Sequence, residues 1–137
     1  MKKYLLTLLV ISLAISACAA QESSTSLIGT WILTSFAPAA SQVPPVADSG
    51  AMITFNEDGT VEGNSGCNGF GGEYTVDGDQ ITFGQITSTL MLCDLRMEQE
   101  AAVYQVLTDT ATYTIEDNTL TLTNNDRGLV FTRGSYP

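Results

Sequence analysis

Short runs of alternating apolar and polar residues make up most of the chain after about residue 26. Alternation with a period of two places every second side chain on one face of a strand, which is typical of an antiparallel sheet with one buried face. Clusters such as Asn56-Glu57-Asp58-Gly59 separate the runs and favour tight turns. The pattern predicts strands at 27–36, 51–56, 60–65, 73–76, 80–83, 111–115, 119–123 and 129–133, with a further short candidate at 88–93.

One stretch, from Leu95 to about Thr108, has helical rather than strand periodicity. Asp94 is suited to cap its first turn. One face of this helix carries the apolar residues Leu95, Ala102, Val103, Val106 and Leu107. The sequence therefore predicts a mainly β (α+β) fold, with Trp31 as a large core residue of the first strand. We expect a small barrel-like antiparallel β-sheet of about seven or eight strands with one α-helix packed against it, because closure removes exposed strand edges.

Residues 1–17 have the pattern of a lipoprotein signal peptide. Two lysines precede an apolar run over 4–13, and small residues follow it up to Cys18. The run is too short for a transmembrane helix, which needs roughly 20 residues. Ile15-Ser16-Ala17-Cys18 resembles the bacterial lipobox, which implies cleavage before Cys18 and lipid on its sulfur. Ordinary secretion, with cleavage near Ala17 to Ala20 and an incidental Cys18, is the alternative.

The expected mature chain begins with a lipidated cysteine and a flexible polar tether over 18–26, followed by one domain over 27–133. Two or more acyl chains hold a protein firmly on a membrane. Ala19, rather than Asp, resembles the outer-membrane sorting pattern of Gram-negative bacteria. We expect a position in the cell envelope: on the outer membrane facing the periplasm in such a host, and otherwise on the extracytoplasmic membrane surface.

The charge of the mature chain excludes one class of partner. Without the two leader lysines, three arginines stand against 15 acidic residues, a net charge of −12. Nucleic-acid binding needs a basic surface, so no nucleic-acid partner is expected. Anionic lipid headgroups should also repel the domain, so the lipid on Cys18 has to supply the membrane contact.

Cys67 and Cys93 remain as an even pair in an exported chain, for which a disulfide is the expected state. The bond would close a loop of about 27 residues. Two reduced thiols, buried or reactive, are the alternative. Met91, Cys93 and Met97 lie close in sequence and offer soft sulfur ligands for Cu(I). The competing interpretation is that Cys93 is disulfide-bonded and the methionines fill the core.

Histidine is absent, which removes Ser-His-Asp and Cys-His catalysis and the commonest transition-metal ligand. Most carboxylates fall in predicted turns, where solvation explains them. We therefore expect no enzyme activity, no catalytic residues, no cofactor and no metal site.

Several motifs occur in a recognisable order: Gly29-Thr30-Trp31-Ile32-Leu33, Gly66-Cys67-Asn68, Thr89-Leu90-Met91-Leu92-Cys93 and Leu120-Thr121-Leu122. In this order they resemble the META domain family, which includes the HslJ-like heat-inducible envelope proteins. The resemblance covers roughly residues 26 to 133. It implies a small β-barrel-like fold with one helix across it, and two cysteines that meet in space. The family-motif residues it marks are Gly66, Cys67, Asn68, Thr89, Met91 and Cys93.

What the resemblance implies about function is limited. The family is associated with heat shock, with novobiocin tolerance and, in parasites, with virulence and secretion, and it brings no catalytic residue set. Asn68 has two open roles, a structural one in a tight turn with left-handed backbone or contact with a ligand. We expect a monomeric, non-enzymatic stress-response or interaction module that binds an envelope protein or component. The alternative is a small-molecule or lipid carrier that uses the barrel interior.

Overall fold

The computed structural model describes residues 26–38, 43–45 and 48–134. The expected signal peptide, Cys18 and most of the tether lie outside these ranges. No helix within them combines the length and the apolar character that crossing a membrane requires. The elements are β1 Gly29–Pro38, β2 Met52–Phe55, β3 Thr60–Asn64, β4 Gly69–Asp77, β5 Gln80–Phe83, β6 Thr87–Ser88, a 3-10 turn Asp94–Arg96, α1 Met97–Leu107, β7 Thr110–Glu116, β8 Thr119–Asn124 and β9 Arg127–Arg133.

Eight antiparallel strands close into a barrel in the order β3-β2-β1-β9-β8-β7-β5-β4, and β4 returns to pair with β3. Closure depends on β4, which pairs with β3 over 69–73 and with β5 over 74–77. The short β6 pairs with β4 beside this circuit. The predicted fold class, a small antiparallel barrel with one helix, is confirmed.

The first half of β4 corrects the sequence prediction, which began this strand only at residue 73. Gly69, Gly71 and Gly72 are extended and paired with β3. Glycine is a weak strand former, but it is needed at this corner of the barrel. A side chain at Gly72 would come within 2.8 Å of the Gln85 carbonyl oxygen, where the chain leaving β5 crosses β4.

Large side chains fill the barrel interior. Trp31 is fully buried, as predicted, and its indole N–H donates a 2.8 Å hydrogen bond to the Leu27 carbonyl. The Arg133 guanidinium lies 4.1 Å from the centre of the same ring. A small apolar space lined by Leu33, Ile53, Phe70 and Val103 measures only about 10 Å³, whereas ligand pockets occupy roughly 300–1,000 Å³. Among the described residues, packed side chains fill the interior.

A bulge in β1 explains why its buried residues do not alternate strictly. Leu33 pairs with Phe131, whereas Ser35 pairs with Val130, so Thr34 is the extra residue. The bulge reverses the alternation, and both Leu33 and Phe36 point into the core.

The helix packs across one end of the barrel. Its buried residues are Gln99, Ala102, Val103, Val106 and Leu107. The predicted start was wrong: Asp94 lies within a 3-10 turn, makes no cap, and is followed by Leu95, which is 88% exposed. The predicted strand over 88–93 was also wrong, since only Thr87 and Ser88 form β6. Beyond Ser88, the Met91 backbone N–H donates to the Asn68 side chain instead of to a neighbouring strand.

Strand register separates the two ends of the barrel. Gly29, at the start of β1, pairs with Phe55, and Met52, at the other end of β2, pairs with Asn64. The loop after β3 therefore lies at the end opposite to the one where the chain enters β1. The helix also packs at this far end, since Asn124 at the end of β8 donates to the Gln105 carbonyl.

Candidate functional site

The Asn68 side chain joins three separate segments at the far end of the barrel. Its amide nitrogen donates to Glu100 Oε1 at 2.7 Å and to the Met91 carbonyl at 3.0 Å. Its carbonyl oxygen accepts from Thr89 Oγ1 at 2.8 Å and from the Met91 backbone N–H at 2.7 Å. Asn68 is only 3% exposed, so its hydrogen-bonding capacity is used within the chain. Of the two open roles, the geometry supports the structural one.

The structural role differs from the one expected. Asn68 is not among the described residues with positive φ; in this loop the left-handed conformation belongs to Gly66, with φ +105°. A side chain at Gly66 would overlap the amide of Gln99. Glycine is therefore required here both by backbone angle and by close approach.

Buried polar groups of the helix complete this network. Gln99 donates to the Ser65 carbonyl at 2.7 Å, and the Ser65 hydroxyl lies 3.1 Å from Glu100 Oε1. Arg96 donates to the Gly66 carbonyl at 2.6 Å. Sequence reasoning missed Ser65 and Gln99. One signal was available in the sequence: Gln99 is a polar residue at helical spacing from the apolar residues of the buried face. A polar side chain buried on that face needs a hydrogen-bond partner.

Cys67 and Cys93 form a disulfide, with Cα atoms 6.0 Å apart. The bond ties the loop after β3 to the segment that precedes the helix. This removes the thiolate from the Met91–Cys93–Met97 copper hypothesis. Among the described residues, no three His, Cys, Asp or Glu side chains are grouped to hold a metal. The competing interpretation was wrong about the methionines, since Met91 and Met97 are 59% and 53% exposed rather than core filler.

Residues 89–97, which we call the strap, present large apolar side chains to solvent. Leu90, Leu92 and Leu95 are 95%, 79% and 88% exposed. The strap faces Asn68 through the Thr89 hydroxyl and the Met91 backbone N–H, which both donate to the Asn68 side-chain oxygen. The exposed leucines therefore lie on a segment that the Asn68 contacts and the disulfide hold to the barrel.

An open groove of about 470 Å³ lies between the strap and the first half of α1. Its lining includes Met91, Met97, Ala101 and Tyr104. The Tyr104 hydroxyl is buried and has no hydrogen-bond partner within the described part of the chain. Its ring packs edge-on against Phe70, 6.1 Å between centres.

Acidic side chains flank this surface. Asp94 and Glu98 are exposed within and next to the strap, and Glu100 is half-buried at the groove. Arg96 lies between them, but it is half-buried and donates to the Gly66 carbonyl. The strap is therefore an apolar surface with an acidic rim.

Within the described ranges, two groups have shifted pKa values, and both lie near the opposite end of the barrel. Hydrogen bonds from the Thr60 hydroxyl and backbone N–H, at 2.6 and 3.0 Å, lower the pKa of Asp58. Burial, aided by the Asp58 charge, raises the pKa of Tyr74. The Asp58 contacts are those of a turn, and Tyr74 packs in the core, so we assign neither group to a site.

A second open groove, of about 510 Å³, lies beside β6 and has Gly63, Gly69 and Gly71 among its lining residues. Glu62 is its one charged lining residue. Its large apolar lining residues are Met52 and Phe70, and it has no acidic cluster like the one beside the strap.

The fold and this surface define a class: a small closed β-barrel with a helix across one end and a disulfide-held apolar strap beside it. The chain belongs to the META domain family, whose model matches residues 25–136. No curated protein is significantly similar to it in sequence.

Solved structures share the fold. A protein from Burkholderia xenovorans solved by NMR is 24% identical, with a TM-score of 0.63 over 99% of this chain and 100% of that one. A second protein solved by NMR is 23% identical, with a TM-score of 0.64 over 77% of this chain and 88% of that one. A DUF4847 family protein from Bacteroides vulgatus is 19% identical, with a TM-score of 0.54 over 80% of this chain and 94% of that one.

Proposed function

We propose that the chain is a membrane-tethered, non-enzymatic envelope module that binds another envelope component through the strap. The observation that carries the proposal is the exposure of Leu90, Leu92 and Leu95 on a segment fixed by a disulfide and by Asn68. Covering one leucine fully is worth about 1.5–3 kcal/mol. Because the strap is already ordered, a partner that covers it loses little of this free energy to conformational entropy.

The tether is part of the proposal. Lipid on Cys18 would hold the chain on an extracytoplasmic membrane surface, the outer membrane in a Gram-negative host. Any unstructured chain as long as the predicted tether, from Cys18 to Leu27, would span on the order of 15–20 Å on average. The chain enters β1 at the end of the barrel opposite to the strap. The strap therefore lies at the barrel end opposite to the tether attachment, where other envelope components can reach it.

The carrier function has less support. A carrier that uses the barrel interior needs an empty cavity, and the small apolar space among the core side chains is about 10 Å³. Native mass spectrometry of the chain purified gently from its envelope tests it directly. A reproducible extra mass of a few hundred daltons that is not the lipid on Cys18 would favour the carrier.

The binding function is tested by site-specific photo-crosslinking in the intact envelope. A photoreactive amino acid replaces Leu92 on the strap or, as a matched control, Val76, which is 45% exposed near the other end of β4. We expect a discrete crosslinked species from position 92 that position 76 does not give. Identical patterns from the two positions would contradict the proposal.

A further inference from the structure

We propose that the segment docking on the strap is cationic and amphipathic: a short stretch of a partner protein with apolar residues on one side and Lys or Arg on the other. The inference rests on the proposed function and specifies the partner's chemistry. Two features of the strap carry it, the apolar side chains and the acidic rim around them.

The charges near the strap have one predominant sign. Asp94 and Glu98 are exposed, and Glu100 lines the groove. Arg96, the cation nearest in sequence, keeps its charge but is half-buried and is outnumbered by these three carboxylates. Arg127 pairs with Asn124 at the same end of the barrel, and Arg133 lies over the Trp31 ring near the chain's entry to β1. An incoming segment therefore meets a negative potential, which attracts cationic partners and raises their rate of association.

The same charges argue against two other occupants. A second copy of this chain would bring one acidic rim against another, and like charges in contact oppose binding. An anionic lipid surface would be repelled as well, and a strap at the barrel end opposite to the tether is poorly placed to reach the anchoring membrane.

The shape and composition of the groove suit a peptide segment with several apolar side chains. Met91 and Met97 are flexible and polarizable, and methionine-rich surfaces accommodate varied apolar side chains. The groove volume of about 470 Å³ holds a few such side chains. The Tyr104 ring adds an aromatic side chain to the apolar lining of this groove. Apolar anchors with charged flanks are the recognition mode of amphipathic helices in grooves.

A peptide titration tests the inference. The full chain, reconstituted in phosphatidylcholine nanodiscs, is titrated with a fluorescent amphipathic Leu/Lys peptide of about four helical turns, and with a matched peptide in which Glu replaces every Lys. We expect the Lys peptide alone to bind. Leu90→Ser with Leu92→Ser should weaken its binding about tenfold or more. The control Val76→Ser should not change it.

The rim is tested by charge removal. Asp94→Asn with Glu98→Gln should weaken binding of the Lys peptide severalfold at about 0.02 M salt and hardly at about 0.5 M, because salt screens exposed charges. Asp77→Asn with Asp79→Asn, in the turn after β4, is the matched control. The inference is overturned if the Lys peptide does not bind, or if both peptides bind equally well. It is also overturned if the Leu90→Ser, Leu92→Ser variant binds the Lys peptide as tightly as the wild-type chain does.

The crosslinking experiment keeps two failures apart. If position 92 crosslinks to a partner but the Lys peptide does not bind the strap, the cationic chemistry is wrong and the proposed function stands. If positions 92 and 76 give the same crosslinks, the proposed function itself fails.

Discussion

Asn68 donates a 2.7 Å hydrogen bond to Glu100, and this bond joins the loop after β3 to the helix that closes the barrel. The same amide group holds the strap through Met91 and Thr89. One buried side chain thus fixes the relative positions of the barrel, the helix and the strap. The strap can expose its apolar side chains and keep its position because Thr89 and Met91 form hydrogen bonds with Asn68 on the side that faces the barrel.

Asn68→Ala should destabilise the fold by about 2–4 kcal/mol, because the Met91 N–H and carbonyl lose their bonds to Asn68 and Glu100 keeps only its bond from Ser65. The measurement is chemical denaturation of the variant and the wild type. Asn118→Ala, in the exposed turn between β7 and β8, is the control and should change stability by less than about 0.5 kcal/mol. Equal effects of the two substitutions would show that the Asn68 network is not structural.

Gly66→Ala should cost about 3 kcal/mol or more, because an added methyl group at φ +105° also overlaps the Gln99 amide. Gly78→Ala is a matched control. Gly78 also has a positive φ, +61°, but no atom lies within 4 Å of the added group. Its substitution should cost only about 1 kcal/mol. Denaturation midpoints that fall equally in the two variants would contradict the close packing of Gln99 on the loop.

Removal of the disulfide by Cys67→Ser with Cys93→Ser should lower stability by about 3–4 kcal/mol, given a sequence separation of 26 residues. Thiol labelling of the unfolded but unreduced chain should modify neither cysteine, and labelling after reduction should modify both. Full labelling before reduction would mean that the protein carries two thiols instead.

Alkaline pH should destabilise the protein through Tyr74. Burial raises its pKa above the ordinary 10.0, and its hydroxyl donates to the Asn56 carbonyl at 2.8 Å. The folded state therefore holds this proton more tightly than the unfolded state. The resulting stability is complete below about pH 10 and is lost as the pH rises through the raised pKa. In Tyr74→Phe, the unfolding midpoint should fall less steeply as the pH rises above about 10. If it falls as steeply as in the wild type, Tyr74 is not the group responsible.

The sequence predicted most strands to within a residue or two, because alternation records which face of a strand is buried. It placed β5 at 80–83, as observed. It failed at the start of β4, where glycines have no side chains to alternate. It also failed at the strap, because an exposed leucine and a buried one look alike in a sequence.

The candidate site was predictable only in part. Cys67, Asn68 and Cys93 stood out through the cysteine count and the family motif. The roles of Ser65, Gln99 and Glu100 were not predictable, since they depend on a loop and a helix that are more than thirty residues apart in sequence. In the structure Glu100 accepts hydrogen bonds from Asn68 and Ser65.

The most direct test of the central claim is whether the strap is covered in the intact envelope. Met91 and Met97 are both more than half exposed in the isolated chain. Mass spectrometry measures how fast limited peroxide treatment oxidises them in whole envelopes and in the purified full chain. Met52, half-buried in β2, serves as the internal reference. The account predicts that Met91 and Met97 oxidise severalfold more slowly in the envelope while Met52 keeps its rate. If Met91 and Met97 oxidise as fast in the envelope as in the purified chain, with Met52 also unchanged, the account is contradicted.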